Sequence, residues 1–159
     1  MIKITLITLG KLKEKYLREA SAEYEKRLSR YCKIDVVELE PVRLSEKPSQ
    51  SEIDLALQKE SEMIIKKIPA GSQVYSLCVE GKQLSSEEFA EKNRNLANEG
   101  KGITFIIGSS YGLCERIKKL SNVNLSLSKM TFPHQLFRII LLEQIYRSFK
   151  INEGSTYHK

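Results

Sequence analysis

Ile103-Thr-Phe-Ile-Ile107 offers water no face. An apolar run this short, closed by Gly102 and Gly108, reads as a strand buried on both sides, as in a parallel sheet covered by helices. The start of the chain has the same two-sided character over 2–9. Ile2, Ile4, Leu6 and Thr8 fall on one face, Thr5, Ile7 and Leu9 on the other, and Gly10 ends the run. Three further short runs follow, at 34–39, 73–79 and 122–127. Segments of helical character separate them at 11–30, 51–68, 85–100, 113–120 and 133–150. Five strands alternating with five helices predict an α/β fold, a mostly parallel sheet with helices on both faces, with 103–107 at its centre. The 159 residues suffice for one domain, 1–159, and no repeat or linker divides it.

Local signals agree with this division. Pro69-Ala-Gly71 breaks the second helix, and Ser51-Glu-Ile-Asp54 resembles a capping signal at its start. Ser85 and Ser86 with Glu87 and Glu88 open the third. Pro133 suits the first turn of the last helix, where its missing N–H costs nothing. The loop 41–50, with Pro41 and Pro48, is expected to be the mobile segment.

Composition narrows the function classes. Hydrophobic residues make up 41% and charged residues 29%, the balance of a soluble globular protein. No run is long enough to span a bilayer, and residues 1–10 read as a strand, not a signal peptide, so no membrane association is expected. Cys32, Cys78 and Cys114 are scattered and odd in number, as in a reduced, cytoplasmic protein. With two histidines and no metal-ligand spacing, no metal is expected. The net charge of +6 permits an anionic partner, nucleic acid foremost.

Ligands of such sheets sit beyond the carboxyl ends of the strands, which singles out the loops after Val79, Ile107 and Leu127. The second, Gly108-Ser-Ser-Tyr-Gly112, is neither a dinucleotide fingerprint nor a P-loop. It does fit G-x-S-x-G with Ser110 as nucleophile. A hydrolase triad would need an acid and then a histidine after Ser110. Asp35 and Asp54 both precede it, leaving Glu143 and His158 as formal partners. Without a nucleophile, Gly108 still lets backbone approach a ligand and Gly112 eases the turn. In the third loop His134 lies in the first turn of the last helix, with Arg138 one turn later on the same side. An arginine inside the apolar run 136–142 needs a partner, either Glu143 or an anion.

These segments carry a resemblance. Gly10-Lys-Leu-Lys13, Phe105-Ile-Ile-Gly108 with Gly112-Leu113, Leu125-Ser-Leu-Ser-Lys-Met-Thr-Phe-Pro-His134, the run from Arg138 to Arg147 and the ending Tyr157-His-Lys159 are similar to the RlmH-type ribosomal RNA methyltransferases. The likeness covers the whole chain. It implies the SPOUT fold with a deep C-terminal trefoil knot, which chain physics alone would not propose. It implies methyl transfer from S-adenosyl-L-methionine to N3 of a pseudouridine, in the large-subunit rRNA stem-loop that faces the small subunit, on the assembled ribosome. It also implies a homodimer with the site completed across the interface. Family cofactor contacts map onto Leu77, Gly108, Leu127, Ser128, Lys129, Met130, Thr131 and Phe132. His134, Arg138, Tyr157 and His158 are the polar candidates for catalysis, with Tyr157 or His158 ordering on the RNA and assisting deprotonation, and Arg138 and Arg147 binding phosphate or base.

Methyl transfer needs in-line positioning and removal of the N3 proton, not a protein nucleophile. Ser109 departs from the family's second glycine and is expected to be strained if that position requires positive φ. A serine hydrolase and a non-catalytic ribosome-binding module are the competing readings.

Overall fold

The computed structural model describes residues 1–158. Strands and helices alternate: β1 (Ile2–Leu9), α1 (Lys15–Leu28), β2 (Cys32–Leu39), α2 (Gln50–Ile65), β3 (Gln73–Gln83), α3 (Ser86–Asn98), β4 (Ile103–Ile107), α4 (Glu115–Leu120), β5 (Val123–Ser126) and α5 (His134–Asn152). All strand pairs are parallel, in the order β2-β1-β4-β3-β5, so the most apolar strand is the middle one.

Strand alternation builds two cores. Ile4, Leu6, Tyr75, Phe105 and Leu125 point to one face and pack against Leu28 of α1, Phe89 of α3 and Leu141, Leu142 and Ile145 of α5. Ile7, Leu9, Val74 and Ile106 point to the other and meet Ile64 of α2 and Ile117 of α4. Leu6, Phe105 and Ile106 are wholly buried, which explains why these strands carry no polar stripe.

The element ends differ from expectation for identifiable reasons. The first helix starts at Lys15, not residue 11, because Leu12 is buried and the Lys13 N–H donates to Gln135 Oε1 at 2.8 Å. Residues 11–14 are thus held to the start of α5. The cap of α2 is Ser49 with Glu52, not Ser51 with Asp54: each side chain reaches the other's backbone N–H in a capping box. Ser85 and Glu88 repeat the device at α3. Pro133 caps α5 from just outside.

β3 runs four residues beyond the expected 79. Leu77 and Lys82 both pair with Leu125, so residues 78–81 bulge out of the sheet. Gly81 permits the return, since a Cβ there would lie 2.6 Å from the Asn124 carbonyl oxygen.

Candidate active site

A cleft of about 390 Å³ opens at the carboxyl ends of β3, β4 and β5. Two of its walls are expected loops, the turn at 107–113 and 127–134 leading into α5; the third is the bulge at 77–80 within β3, in place of a loop after Val79. Leu77, Gly108, Leu127, Ser128, Met130, Thr131 and Phe132 all line it. Lys129 is exposed and not part of the lining.

Each wall has a local cause. The 108–112 turn closes through the Gly112 N–H donating to the Ser109 carbonyl at 2.8 Å. A Cβ at position 108 would lie 2.3 Å from the Gly112 carbonyl oxygen, so glycine there is a packing requirement of the turn itself. Gly112 has φ +85°. Ser109 does not: no non-glycine among the described residues has positive φ, so the expected strain is absent. Its hydroxyl instead donates to Glu60 Oε1 at 3.1 Å. In the third loop Ser128 Oγ accepts the Met130 N–H at 3.0 Å, and Phe132 stacks on Phe137 with ring centres 6.4 Å apart. The cleft therefore presents mostly backbone and apolar surface. At its edge Lys118 pairs with Glu80 at 2.5 Å, which lowers the carboxyl's pKa and raises the ammonium's. Sequence reasoning missed this pair; its members lie 38 positions apart with nothing local to link them.

His134 stands at the mouth of the cleft. Partial burial, then the charges of Arg138 and Lys13, lower its pKa, so the imidazole is neutral near pH 7. Arg138 is 5% exposed, and its donors are taken by Glu38 Oε2 at 2.8 Å and by Thr8 Oγ1 and the Gly10 carbonyl at 3.0 Å. Its carboxylate partner is Glu38, not Glu143. It ties α5 to the ends of β1 and β2 and holds positive charge beside His134.

Tyr157 and His158 are elsewhere. Tyr157 packs edge-on to Tyr146 at 5.2 Å and donates to Glu143 Oε1 at 3.2 Å. His158 meets Arg147 at 3.1 Å and Glu87 at 2.7 Å. Arg147 is bound to Glu143 at 2.7 Å and lies 5.0 Å above the Tyr157 ring. The tail through His158 is thus packed against α5 by Tyr146, Glu143 and Arg147; Lys159 lies outside the described residues. Glu143 is nine residues beyond His134, about 13 Å along a helix axis. No hydrogen bond joins Ser110 to a histidine among the described residues, and Glu143 and His158 are held by Arg147. The hydrolase triad does not assemble.

The family model "Predicted SPOUT methyltransferase" matches residues 2–158. The chain belongs to the SPOUT methyltransferase family. Its relatives include ribosomal RNA large subunit methyltransferase H of Bacillus cytotoxicus (strain DSM 22905 / CIP 110041 / 391-98 / NVH 391-98), 52% identical over 98% of this chain and 99% of that protein. The methyltransferase of the same name from Bacillus thuringiensis subsp. konkukian (strain 97-27) is 51% identical over the same shares. Among solved structures, a Neisseria gonorrhoeae protein assigned to a methylase family superposes with a TM-score of 0.53 at 10% identity, covering 99% of this chain and 86% of that one. That likeness concerns the fold alone. As a SPOUT methyltransferase the protein uses S-adenosyl-L-methionine as methyl donor.

The cleft fits that donor. Its volume lies in the range of small-molecule sites, and adenine can be read by backbone N–H and C=O groups between leucines such as Leu77 and Leu127. No group of three or more His, Cys, Asp or Glu side chains that could hold a metal occurs among the described residues. No helix among them is long and apolar enough to cross a membrane.

Proposed function

We propose that the protein methylates N3 of a pseudouridine in the intersubunit stem-loop of large-subunit ribosomal RNA, on the assembled ribosome and as a homodimer. The observation that carries the reading is the cleft at the ends of β3, β4 and β5, walled by the turn at 107–113 and the loop 127–134, with His134 in its lining. The names of the relatives, both large-subunit rRNA methyltransferases, support the substrate class. The net charge of +6 suits an RNA partner.

S-adenosyl-L-methionine supplies an electrophilic methyl group when bound. The chain's own residues do the rest. Leu77, Gly108 and 127–132 hold the donor, with Lys129 flanking the loop from outside. Arg138 fixes the base of α5, and with it the position and charge state of His134. Tyr157 and His158 belong to the catalytic set only if a second chain brings them to the cleft, because within one chain they are packed around Glu143 and Arg147. This separation supports a dimer in which the partner's tail completes each site. So does α5, which is apolar around its circumference yet leaves Leu136 39% exposed and Ile139 and Ile140 half-buried. The knotted threading implied by the resemblance belongs to the same reading: β5 lies at the sheet edge, while α5 crosses back to α1 and α3.

The test is methylation of intact ribosomes, with the modified nucleotide mapped by mass spectrometry. The reading predicts one N3-methylated pseudouridine and its loss in Tyr157→Phe and His158→Ala. Full rates in both variants would remove the tail from the mechanism.

A further inference from the structure

A second cleft, of about 310 Å³, lies against the first. The two share Ser109, Ser110, Tyr111 and His134 as a common wall. The second is roofed by the loop after β2, floored by α2, and closed at the back by Leu9. Along the roof Val42 and Leu44 line the cleft, while Arg43 between them is exposed. Glu60 sets this shape. It is 4% exposed, takes the Val42 N–H at 2.9 Å and the Ser109 hydroxyl at 3.1 Å, and so ties roof, floor and common wall together.

Methyl transfer requires the acceptor nitrogen within roughly 3–3.5 Å of the methyl carbon and in line with the breaking bond. The acceptor's seat must therefore abut the donor's. Two other hollows also touch the first cleft. One, about 230 Å³, is walled mainly by charged side chains, Glu80, Glu115, Lys118 and Lys119, and brings no aromatic ring. The other, about 170 Å³, brings no ionisable side chain. Of these three neighbours the second cleft is the one that combines apolar walls (Val42, Leu44, Leu57), an exposed aromatic ring at 111 and an imidazole at the junction. Enzymes that act on a base inside folded RNA take it out of its stack and hold it between apolar and aromatic surfaces.

We infer that the second cleft is the seat of the acceptor pyrimidine base, with Tyr111 against its face, His134 as proton acceptor in the shared wall, and Glu60 tying roof, floor and wall together. The inference rests on the methyltransferase reading above. In the step it describes, the acceptor N3 yields its proton to the neutral His134 imidazole. The nitrogen then bonds to the methyl carbon as that carbon's bond to sulfur breaks, the bonding pair staying on sulfur. The products are the methylated base, a neutral thioether and an imidazolium that returns its proton to water. The exposed Arg43 and Lys47, on the outer side of the roof, suit the phosphates flanking an extruded nucleotide.

Leu57→Trp fills the cleft from the floor without touching the donor's loops. Since the chain has no tryptophan, emission of the introduced indole reports whether it is buried there. Three quantities are read: S-adenosyl-L-methionine affinity by calorimetry, ribosome association by sedimentation, and methyl transfer to ribosomes. The expected result is donor affinity within about twofold and ribosome association within about threefold of wild type, with transfer down about 100-fold or more. Transfer within about threefold of wild type, with a buried indole, overturns the inference. So does a parallel loss of donor affinity, which would assign the cleft to the donor. Val42→Trp, reaching in from the roof, gives the same three readouts should the first variant fold poorly. Failure of the wild-type chain to bind S-adenosyl-L-methionine is a different result, because it removes the methyltransferase reading itself.

Discussion

Arg138 shows how a side chain's surroundings set its work. Its sequence setting suggested an anion-binding group; its partners are Glu38, Thr8 and Gly10, the first lying 100 positions away. Removing one member of a buried, hydrogen-bonded pair strands the other. Glu38 is 34% exposed, which softens the loss. Arg138→Ala should therefore destabilise the chain by about 2–4 kcal/mol in urea unfolding. A change under about 0.5 kcal/mol would mean that the cluster is dispensable. His134 is tested by pH. Its folded pKa lies below its unfolded one, so the unfolded chain takes up the proton first. Stability from neutral His134 is complete above the ordinary histidine value of about 6.5 and is lost as pH falls through the lowered folded value. NMR titration should place the His134 midpoint below that of a free histidine, and Lys13→Ala should raise it. A midpoint at or above the ordinary value contradicts the assignment of a neutral imidazole beside Arg138.

The turn at 108–112 carries the sharpest prediction among the elements. In Gly108→Ala the new methyl would meet the Gly112 carbonyl, so the turn must open. Strain of about 2 kcal/mol at that turn corresponds to about 30-fold in donor affinity. Ser109→Gly relieves no strain, because φ at 109 is not positive; it removes the hydrogen bond to Glu60 and should cost about 1 kcal/mol. All ten elements were legible in order, because two-sided strands and capped helices write themselves in short-range patterns. Ile103–Ile107 alone announced a buried central strand. What was not legible is non-local. The bulge at 78–81 exists because Gly81 passes close to Asn124, and α1 starts late because Gln135 holds Lys13. Two of the donor cleft's three walls followed from strand ends, whereas the second cleft depends on Glu60 reaching Ser109 from α2.

At the scale of the molecule, the sheet gathers a backbone-lined cleft and a histidine at one end, while Tyr157 and His158 stay packed beside Glu143 and Glu87. On the proposed reading, one chain offers the donor cleft while its own tail packs beside Glu143, and a partner's tail completes the site. Sedimentation should give a dimer. At donor concentrations that saturate wild type but not Gly108→Ala, a mixed dimer of Gly108→Ala and Tyr157→Phe/His158→Ala chains should exceed the methyl transfer of either parent through its one intact site; no gain over the parents would argue against a shared site. The resemblance implied a site completed across a dimer, but the order of the chain did not show where the tail packs, since that depends on the Arg147–Glu143 pair and the Tyr146 ring. The central claim is that the cleft at the ends of β3, β4 and β5 holds S-adenosyl-L-methionine. Calorimetry on wild type and Gly108→Ala, with folding checked by circular dichroism, tests it most directly. Saturable binding by wild type, weakened about 30-fold in a folded Gly108→Ala chain, is the predicted result. No saturable binding by wild type, or equal binding by both chains, would contradict it.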